Sequence, residues 1–445
     1  FGNANYRYNI DSLGRSYVDF NIDFNRFKQN RTLEGAFELV DANEQPVSLL
    51  GEYRNILPQT FWNLSGQMDI KKTLKPNASV LFGVQFSHTD VNNDLRYYDI
   101  EQNTETLNGN LSQDYQYRED YQAAYMTMNR NFGNKFSGSA GLRAERTDYE
   151  SSAKKAGLAY DSVYYNLYPS LSASYFGSQK HQFGYSLSRK IIRPNIESLY
   201  PGRIYRSSNY FTENNPFLQP TLLLVNELSY LFNRRYSLSV TYSSTKNSNA
   251  RFVIPVMEDT ALAFKETLLN YGTIRQVSVV FNTSFNFFKG KWQLYVTPYY
   301  NHVVYSGDVN GNKVHVINND FNFVADNYFQ LSKDKTWAGF ATFTYNGPTR
   351  DIAAERVNAL SSLTLQLRKN LKKFTFFLIA SDIYNGRSRT ESNLYANYLL
   401  SGNHVDRLSY TRAIQFKVRY SFGNNNLAGT RNRNTANQDI RNRAN

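Results

Sequence analysis

The chain has 445 residues, a formal net charge of +13 and no cysteine, and 41% of its residues are hydrophobic. The missing thiol removes disulfide frameworks and thiolate chemistry, and the scattering of Lys and Arg along the chain argues against a nucleic-acid partner. No window nears the ~18 consecutive apolar residues of a membrane helix, and the oiliest run, from Phe374 to Ala380, is far too short.

Alternating apolar and polar residues predict strands near 4–10, 15–26, 59–73, 78–89, 119–131, 135–149, 160–176, 180–189, 223–233, 235–247, 270–288, 291–305, 313–331, 335–347, 355–369, 373–385 and 408–422, about 17 in all. In 136–145, Phe136, Ala140, Leu142 and Ala144 share one parity while Ser137, Ser139, Arg143 and Glu145 share the other. The same holds for Leu238 and Val240 in 235–243, and for Ile414 and Val418 against Gln415, Lys417 and Arg419 in 413–422. Successive side chains of a strand point to opposite faces, so each run is a ribbon with one oily and one wet side. Runs of about 10–15 residues exceed soluble strands and suit a tilted strand crossing a bilayer. An all-β, antiparallel transmembrane β-barrel is therefore expected. Its aromatic girdles would house the 35 Tyr and 31 Phe. Phe136, Leu142, Leu238, Val240, Ile414 and Val418 should face lipid. Arg143, Glu145, Gln415, Lys417 and Arg419 should face the lumen, the charged ones as a network, because a charge on the lipid face costs ~2–4 kcal/mol at the midplane.

Short turns are expected near 11–14, 74–76, 131–135, 177–180, 233–235, 288–291, 332–335 and 369–372. They alternate with long polar connectors at 27–58, 90–118, 149–159, 190–222, 247–270, 306–313, 347–355 and 385–407. One rim of tight turns and one of long loops is the asymmetry of outer-membrane barrels. The odd strand count starts the chain on the outer side, whereas a complete bacterial barrel has an even count. Either a strand near 33–40 is missed or an N-terminal portion is absent; we expect the latter, since an open sheet edge in lipid leaves amides unsatisfied. The chain opens at Phe1 with neither Met nor a signal peptide, as expected of a mature form or fragment. Residues 1–423 read as one barrel and 424–445 as a solvated basic tail. A propeller or β-helix would need a fixed repeat, and none occurs.

Nothing points to catalysis or a cofactor. His88, His181, His302, His315 and His404 are dispersed without metal-ligand spacing. No nucleophile elbow, phosphate loop or dinucleotide fingerprint is present. The stretch Asp90, Asn92, Asp94 reads as solvated loop, because Leu95 stands where a calcium loop needs glycine.

The most distinctive sequence is Tyr185-Ser-Leu-Ser-Arg189-Lys-Ile-Ile-Arg193-Pro194, then Leu199-Tyr-Pro201, then Asn214-Asn215-Pro216-Phe-Leu218-Gln-Pro220. With Gly141-Leu-Arg143-Ala-Glu145-Arg-Thr147, Tyr168-Pro169-Ser170-Leu171 and the closing Tyr420-Ser-Phe422-Gly423-Asn424, it resembles the C-terminal barrel region of TonB-dependent outer-membrane receptors of the Bacteroidetes type. The matches run in family order from about residue 60 to the end. Asn214 stands where that family has Gly, and Thr221 where it has Glu. The resemblance implies a barrel of about 22 strands preceded by a plug domain and a segment engaging TonB. The partners it implies are outer-membrane lipid, the plug, TonB and a surface lipoprotein. It also implies uptake of a nutrient such as a metal chelate, oligosaccharide or peptide. A plugless porin, or a barrel that only binds or scaffolds, is the alternative.

Ligand recognition is expected on the long-loop rim, where binding residues concentrate. Tyr205, Tyr210, Phe211, Asn214, Asn215, Tyr395 and Tyr398 offer rings and amides to a polar solute, unless the rings belong to the outer girdle. Arg189, Arg193, Pro194, Pro216 and Pro220 should shape the connector where it leaves the sheet, with substrate contact as the other role.

Overall fold

A computed structural model describes the chain except residues 44, 76, 156, 208, 259, 260, 310, 351, 353, 354, 385–387, 393–403, 408–411, 423–442, 444 and 445. Twenty strands form one continuous sheet, three of them short additions, which leaves seventeen long strands. These are β1 (Gly2–Asn9), β2 (Tyr17–Val40), β3 (Pro46–Lys75), β4 (Ala78–Glu101), β5 (Gln113–Phe132) and β6 (Phe136–Ala153). Then come β7 (Leu158–Phe176), β8 (His181–Ile192), β9 (Thr221–Phe232), β10 (Tyr236–Glu258), β11 (Ala261–Phe287) and β12 (Trp292–Val309). The last are β13 (Asn312–Gln330), β14 (Trp337–Asn346), β15 (Leu360–Leu371), β16 (Phe374–Ser381) and β17 (Ala413–Tyr420). Each pairs antiparallel with the next in sequence, a plain meander. Among the described residues, β1 and β17 each pair on one side only. No described helix is long and apolar enough to cross a membrane.

The tight turns fall where the sequence places them. Asn233 and Arg234 take φ of 51° and 55°, the mirror-image turn that matches the twist of the flanking strands. The long connectors differ from expectation. Most of 27–58 is the continuation of β2 and β3 as a paired hairpin, so 33–40 is the end of β2 and not a further strand. Asp90, Asn92 and Asp94 lie within β4 rather than in a loop. A hairpin whose amides bond across the ladder needs no oily face to persist, so paired strands outrun the amphipathic pattern. The connector after β14 and that after β16 meet in a separate four-stranded sheet made of Thr349–Arg350, Glu355–Val357, Ser388–Ser392 and His404–Arg407.

Register fixes the two faces. Phe136, Tyr175, Phe183, Tyr230, Leu238 and Phe281 stand opposite one another across β6 to β11 in one line. Phe136, Leu142, Leu238, Ile414 and Val418 are exposed on this face, and Val240 is half-buried. At the tight-turn rim the rings touch in series: Phe132 with Phe136 at 5.5 Å, Phe183 with Tyr230 at 4.8 Å, Phe287 with Trp292 at 4.4 Å and Phe374 with Tyr420 at 4.8 Å. That belt has the form of an interfacial girdle. The opposite face carries the polar line Arg7, Asp19, Asp69, Gly83, Tyr125, Arg143 and Tyr168. The best-buried apolar cluster packs on that inner face as well, so it is a lumenal core and not the interior of a sandwich.

Two positions test the packing. Gly272, at φ +150°, faces Gly307 across β11 and β12, and a Cβ built on Gly307 would lie 1.7 Å from the Tyr271 carbonyl oxygen. Gly307→Ala should therefore lower stability by about 1–3 kcal/mol, the usual cost of overpacking, read as an earlier loss of the compact form on heated gels. In the β13–β14 turn, the Ser332 hydroxyl, the Thr336 hydroxyl and the Thr336 amide donate to Asp334 and hold its carboxyl at about 2. A depressed folded pKa means the contribution is complete above about pH 4 and is lost as pH falls toward 2. Carboxyl NMR titration should show that low midpoint; a midpoint near 4 would sink the assignment.

Candidate ligand site and lumenal wall

The inner wall of β3 to β7 is assembled by alternation: Tyr117, Tyr121 and Tyr125 project from β5, and Arg143, Glu145, Thr147 and Tyr149 from β6. Tyr125 lies across Gly83, where a Cβ would come within 2.2 Å of its ring. An aromatic ring laid over a cross-strand glycine pins register, and here it sends the Tyr125 hydroxyl to Asp69 at 2.5 Å. Arg143 donates from Nε to Glu145 at 2.5 Å and from Nη2 to Gln85 at 2.7 Å, and also bonds the Tyr121 hydroxyl. Tyr121 donates to Glu145 at 2.7 Å.

The connector after β8 folds onto this wall. Pro169 has no N–H to give, and the β7–β8 ladder stops at Ser170 opposite Ser188. Just beyond, Arg189 donates to the Leu167 carbonyl at 3.1 Å. Pro194 follows the end of β8, and Arg193 turns inward to meet Glu145 at 2.8 Å and Thr147 at 3.3 Å, its guanidinium 4.9 Å from the Tyr121 ring centroid. Asn195 caps the short 3-10 helix Ile196–Leu199 by accepting from the Glu197 amide at 3.0 Å. Ile196, Leu199, Tyr200 and Leu218 then bury against Phe61, Val91, Leu95, Tyr115, Tyr117 and Tyr149. Deleting 195–215 would thus tear out part of the lumenal core, so point substitutions are the cleaner probe of this connector.

Beyond it, Arg203–Ser207 and Tyr210–Glu213 form a hairpin whose second strand runs parallel to β11 at Phe264, Lys265 and Glu266. Tyr205 packs at 6.1 Å from Tyr97 and 5.4 Å from Phe211. Tyr210 donates to Glu266 at 2.5 Å, and Phe211 is buried beneath the Arg203 guanidinium, 4.5 Å from its ring centroid. Arg203 bridges Glu213 at 2.6 Å and Glu258 at 2.7 Å. Asn214 donates to the Glu197 carbonyl at 3.0 Å and Asn215 to the Leu268 carbonyl at 3.1 Å. Pro216 is buried and Pro220 half-buried. A cavity of about 230 Å³ opens nearby, lined by Tyr149, Tyr160, Tyr164, Gln219, Pro220 and Asn247.

The structure thus gathers Tyr205, Tyr210, Phe211, Asn214 and Asn215 on one rim, each already engaged with the protein. Arg143, Glu145 and Arg193 form one cluster. Lys417 and Arg419 stand opposite Phe377 and Thr375 on β17, at the far edge of the sheet from that cluster. Tyr395 and Tyr398 lie outside the described residues. Sequence reasoning missed Tyr53 and Tyr97, stacked at 5.6 Å under Tyr205, because it began β3 too late and ended β4 too early to give them a face. It also missed Arg443: expected in a solvated tail, it is buried against Glu119, because a guanidinium finds a carboxylate there. Among the described residues no group of three His, Asp or Glu side chains converges as a metal site.

Glu145 is the hinge of the wall cluster, since it is the carboxylate for both Arg143 and Arg193. Glu145→Ala removes the carboxylate that both Arg143 and Arg193 meet, and breaking such a buried pair costs about 3–5 kcal/mol. The expected result is a lower melting point on semi-native gels and faster protease cleavage within 193–220, with Glu145→Gln intermediate. An unchanged melting point and cleavage rate would refute this role.

No curated protein matches the sequence closely enough to count as a relative. Among solved structures, the copper transporter OprC superposes with a TM-score of 0.64 at 10% identity, covering 94% of this chain and 65% of its own. The ferric-catecholate import receptor Fiu from K12 E. coli gives 0.60 at 12% identity, over 94% and 63%. The pyoverdine outer membrane receptor FpvA from Pseudomonas aeruginosa PAO1 gives 0.57 at 13%, over 94% and 61%. The chain therefore spans less than two thirds of the length of each of these structures, and at such identities the likeness is one of fold. A model of the outer membrane protein beta-barrel family matches residues 8–439, nearly the whole chain. With its meander of long amphipathic strands and its outward apolar face, this chain belongs to that family and resides in the outer membrane.

Proposed function

We propose that the chain is the main part of a TonB-dependent receptor barrel that takes up a scarce nutrient, with metal chelates favoured over oligosaccharides and peptides. The observation carrying this reading is the superposition of 94% of the chain on proteins named as a copper transporter, a ferric-catecholate import receptor and a pyoverdine receptor. Among the described residues β1 and β17 each pair on one side only, which supports a larger closed barrel, because a strand edge facing hydrocarbon leaves each amide several kcal/mol short. In this reading further strands close the barrel at about 22, a plug fills it against the wall of Arg143, Glu145 and Tyr125, and TonB supplies the energy. A surface lipoprotein covering the long-loop rim belongs to the same proposal. No bond is made or broken in the cargo, so the chain is not an enzyme.

Recognition is assigned to the rim that holds Tyr205, Tyr210, Asn214 and Asn215, together with the Tyr149–Tyr160–Tyr164 cavity. Rings there can stack on a planar chelator, and exposed Arg206 beside Glu266, at 3.8 Å, offers a cation to an anionic one. The test is uptake of radiolabelled iron, given as ferric citrate and as a ferric catecholate, by cells expressing the full-length protein with and without TonB. Uptake dependent on TonB is expected for at least one chelate. Equal uptake in both strains would favour a porin. Tyr210→Ala should weaken binding of the accepted chelate about tenfold, or 1.4 kcal/mol, and Tyr210→Phe by less, measured by fluorescence quenching. Unchanged affinity in both variants would remove this rim from recognition.

A further inference from the structure

The sequence scatters its 50 Lys and Arg along the chain, but the fold gathers many of them. Eight tight turns join the long strands on one rim, and every one of them carries a basic residue. The first four hold Arg15, Lys75 (the last residue of β3), Lys135 and Lys180. Each of the other four holds two, such as Lys289 and Lys291 between β11 and β12. Twelve cations thus stand on this rim against two carboxylates, Asp11 and Asp334, an excess of ten where the whole chain has +13. Arg235 is half-buried and the rest of the twelve are exposed.

The protein does not neutralise these charges itself. Among the described residues none of the twelve pairs with a carboxylate, whereas toward the long-loop rim Arg54, Arg96, Arg118, Arg203 and Arg251 all do. Both acids of the tight-turn rim are spent on their own turns. Asp11 accepts the amides of Leu13, Arg15 and Ser16 at 2.7 to 3.1 Å, and Asp334 accepts the Ser332 and Thr336 hydroxyls. Neighbouring turns stand about 10 Å apart, two strand spacings, which is close to the screening length in physiological salt. Like charges at that spacing repel one another, so the rim calls for anions from outside.

Depth identifies the anion. The turns lie just beyond the belt of Phe132, Phe136, Phe287, Trp292, Phe374 and Tyr420, whose rings mark the interface. Further cations lean on that belt: the Arg130 guanidinium is 4.7 Å from the Phe132 ring centroid and the Lys369 ammonium 5.0 Å from that of Trp337. Phe132 and Trp337 are exposed on the apolar outer face, so these cations lie on the lipid side and not in the lumen. Phosphate is the anion a bilayer presents at this depth, and it presents it along the whole rim, as the cations are arranged. An acidic protein would need one patch rather than eight turns.

We propose that the tight-turn rim is a collar for anionic phospholipid of the inner, periplasmic leaflet, which tight turns of such barrels face. Its cations take the headgroup phosphates and favour lipids of net negative charge over zwitterionic ones. The collar depends neither on the nutrient carried nor on TonB.

Trp292 and Trp337 adjoin Lys289, Lys291, Lys333 and Lys335 in sequence, so they report on lipid at the rim. The full-length protein is reconstituted in phosphatidylcholine vesicles with rising fractions of brominated phosphatidylglycerol or brominated phosphatidylcholine. The rim signal is the tryptophan quenching that disappears when Trp292→Phe and Trp337→Phe are combined. Brominated phosphatidylglycerol should reach half-quenching at a fraction about fivefold lower than its zwitterionic counterpart, and about 0.5 M salt should shrink that ratio toward one. Changing the four lysines to Gln should abolish the ratio while heat-modifiable gel mobility stays normal; changing them to Arg should keep it. Equal quenching by the two lipids at low salt, or a ratio that neither salt nor the Gln changes move, overturns the proposal. Equal quenching together with retention on isolated peptidoglycan through the same lysines would overturn it in favour of the wall polymer.

Discussion

Every backbone amide and carbonyl at membrane depth must find a partner within the protein, because hydrocarbon offers none. The rest of this structure follows from that demand. It is met by pairing each strand with its neighbour in sequence, which fixes the meander. Pairing in register then commits each residue to one face, since a slip of one position would turn every side chain over. Phe183, Tyr230 and Leu238 are held outward and Ser172, Ser186 and Ser229 inward by the same ladder. Where a proline removes a donor, as at Pro169, the ladder stops and a guanidinium takes the nearby carbonyl instead.

The inner face lives under a different rule. Water and protein can both serve its polar groups, so it carries charge, but charges that become buried there must be matched. Glu145 and Glu119 sit on neighbouring strands, and each is served by arginine. Two of the three arginines come from outside the strand ladder, Arg193 from a connector and Arg443 from the tail. The wall thus recruits segments that are distant in sequence, and in doing so shapes the lumen. The connector 193–220 is held at one end by Arg193 and along its length by Ile196, Leu199, Tyr200 and Leu218. It is a lumenal element with a docked hairpin at its outer end, rather than a free loop.

The outer rim shows how long connectors become ordered. β2, β3 and β4 continue far past the amphipathic stretch because their hairpins keep bonding across the ladder. The hairpin of 203–213 docks on β11 by parallel pairing and by the Lys265–Glu213 ion pair, and on β10 by Arg203 with Glu258. Rings at this rim are therefore held at fixed positions by the protein itself.

The strand order, the two faces and the tight turns were legible in the sequence, because they depend on period-two alternation and on turn residues that act locally. Phe136, Leu142 and Leu238 could be assigned outward from their neighbours alone, and the Arg193-Pro194 step could be read as the end of a strand. Strand ends on the outer rim were not legible, since polar hairpins pair without an apolar signature, and so Tyr53 and Tyr97 went unseen. Nor could the partners of Glu145 and Glu119 be read: 48 residues separate Glu145 from Arg193 and 324 separate Glu119 from Arg443, and no local pattern encodes a contact made by folding. Lys417 and Arg419 share the inward parity with Arg143 and Glu145, yet they lie at the opposite edge of the sheet. Parity assigns a face; only the ladder of tertiary pairing decides which residues on that face meet.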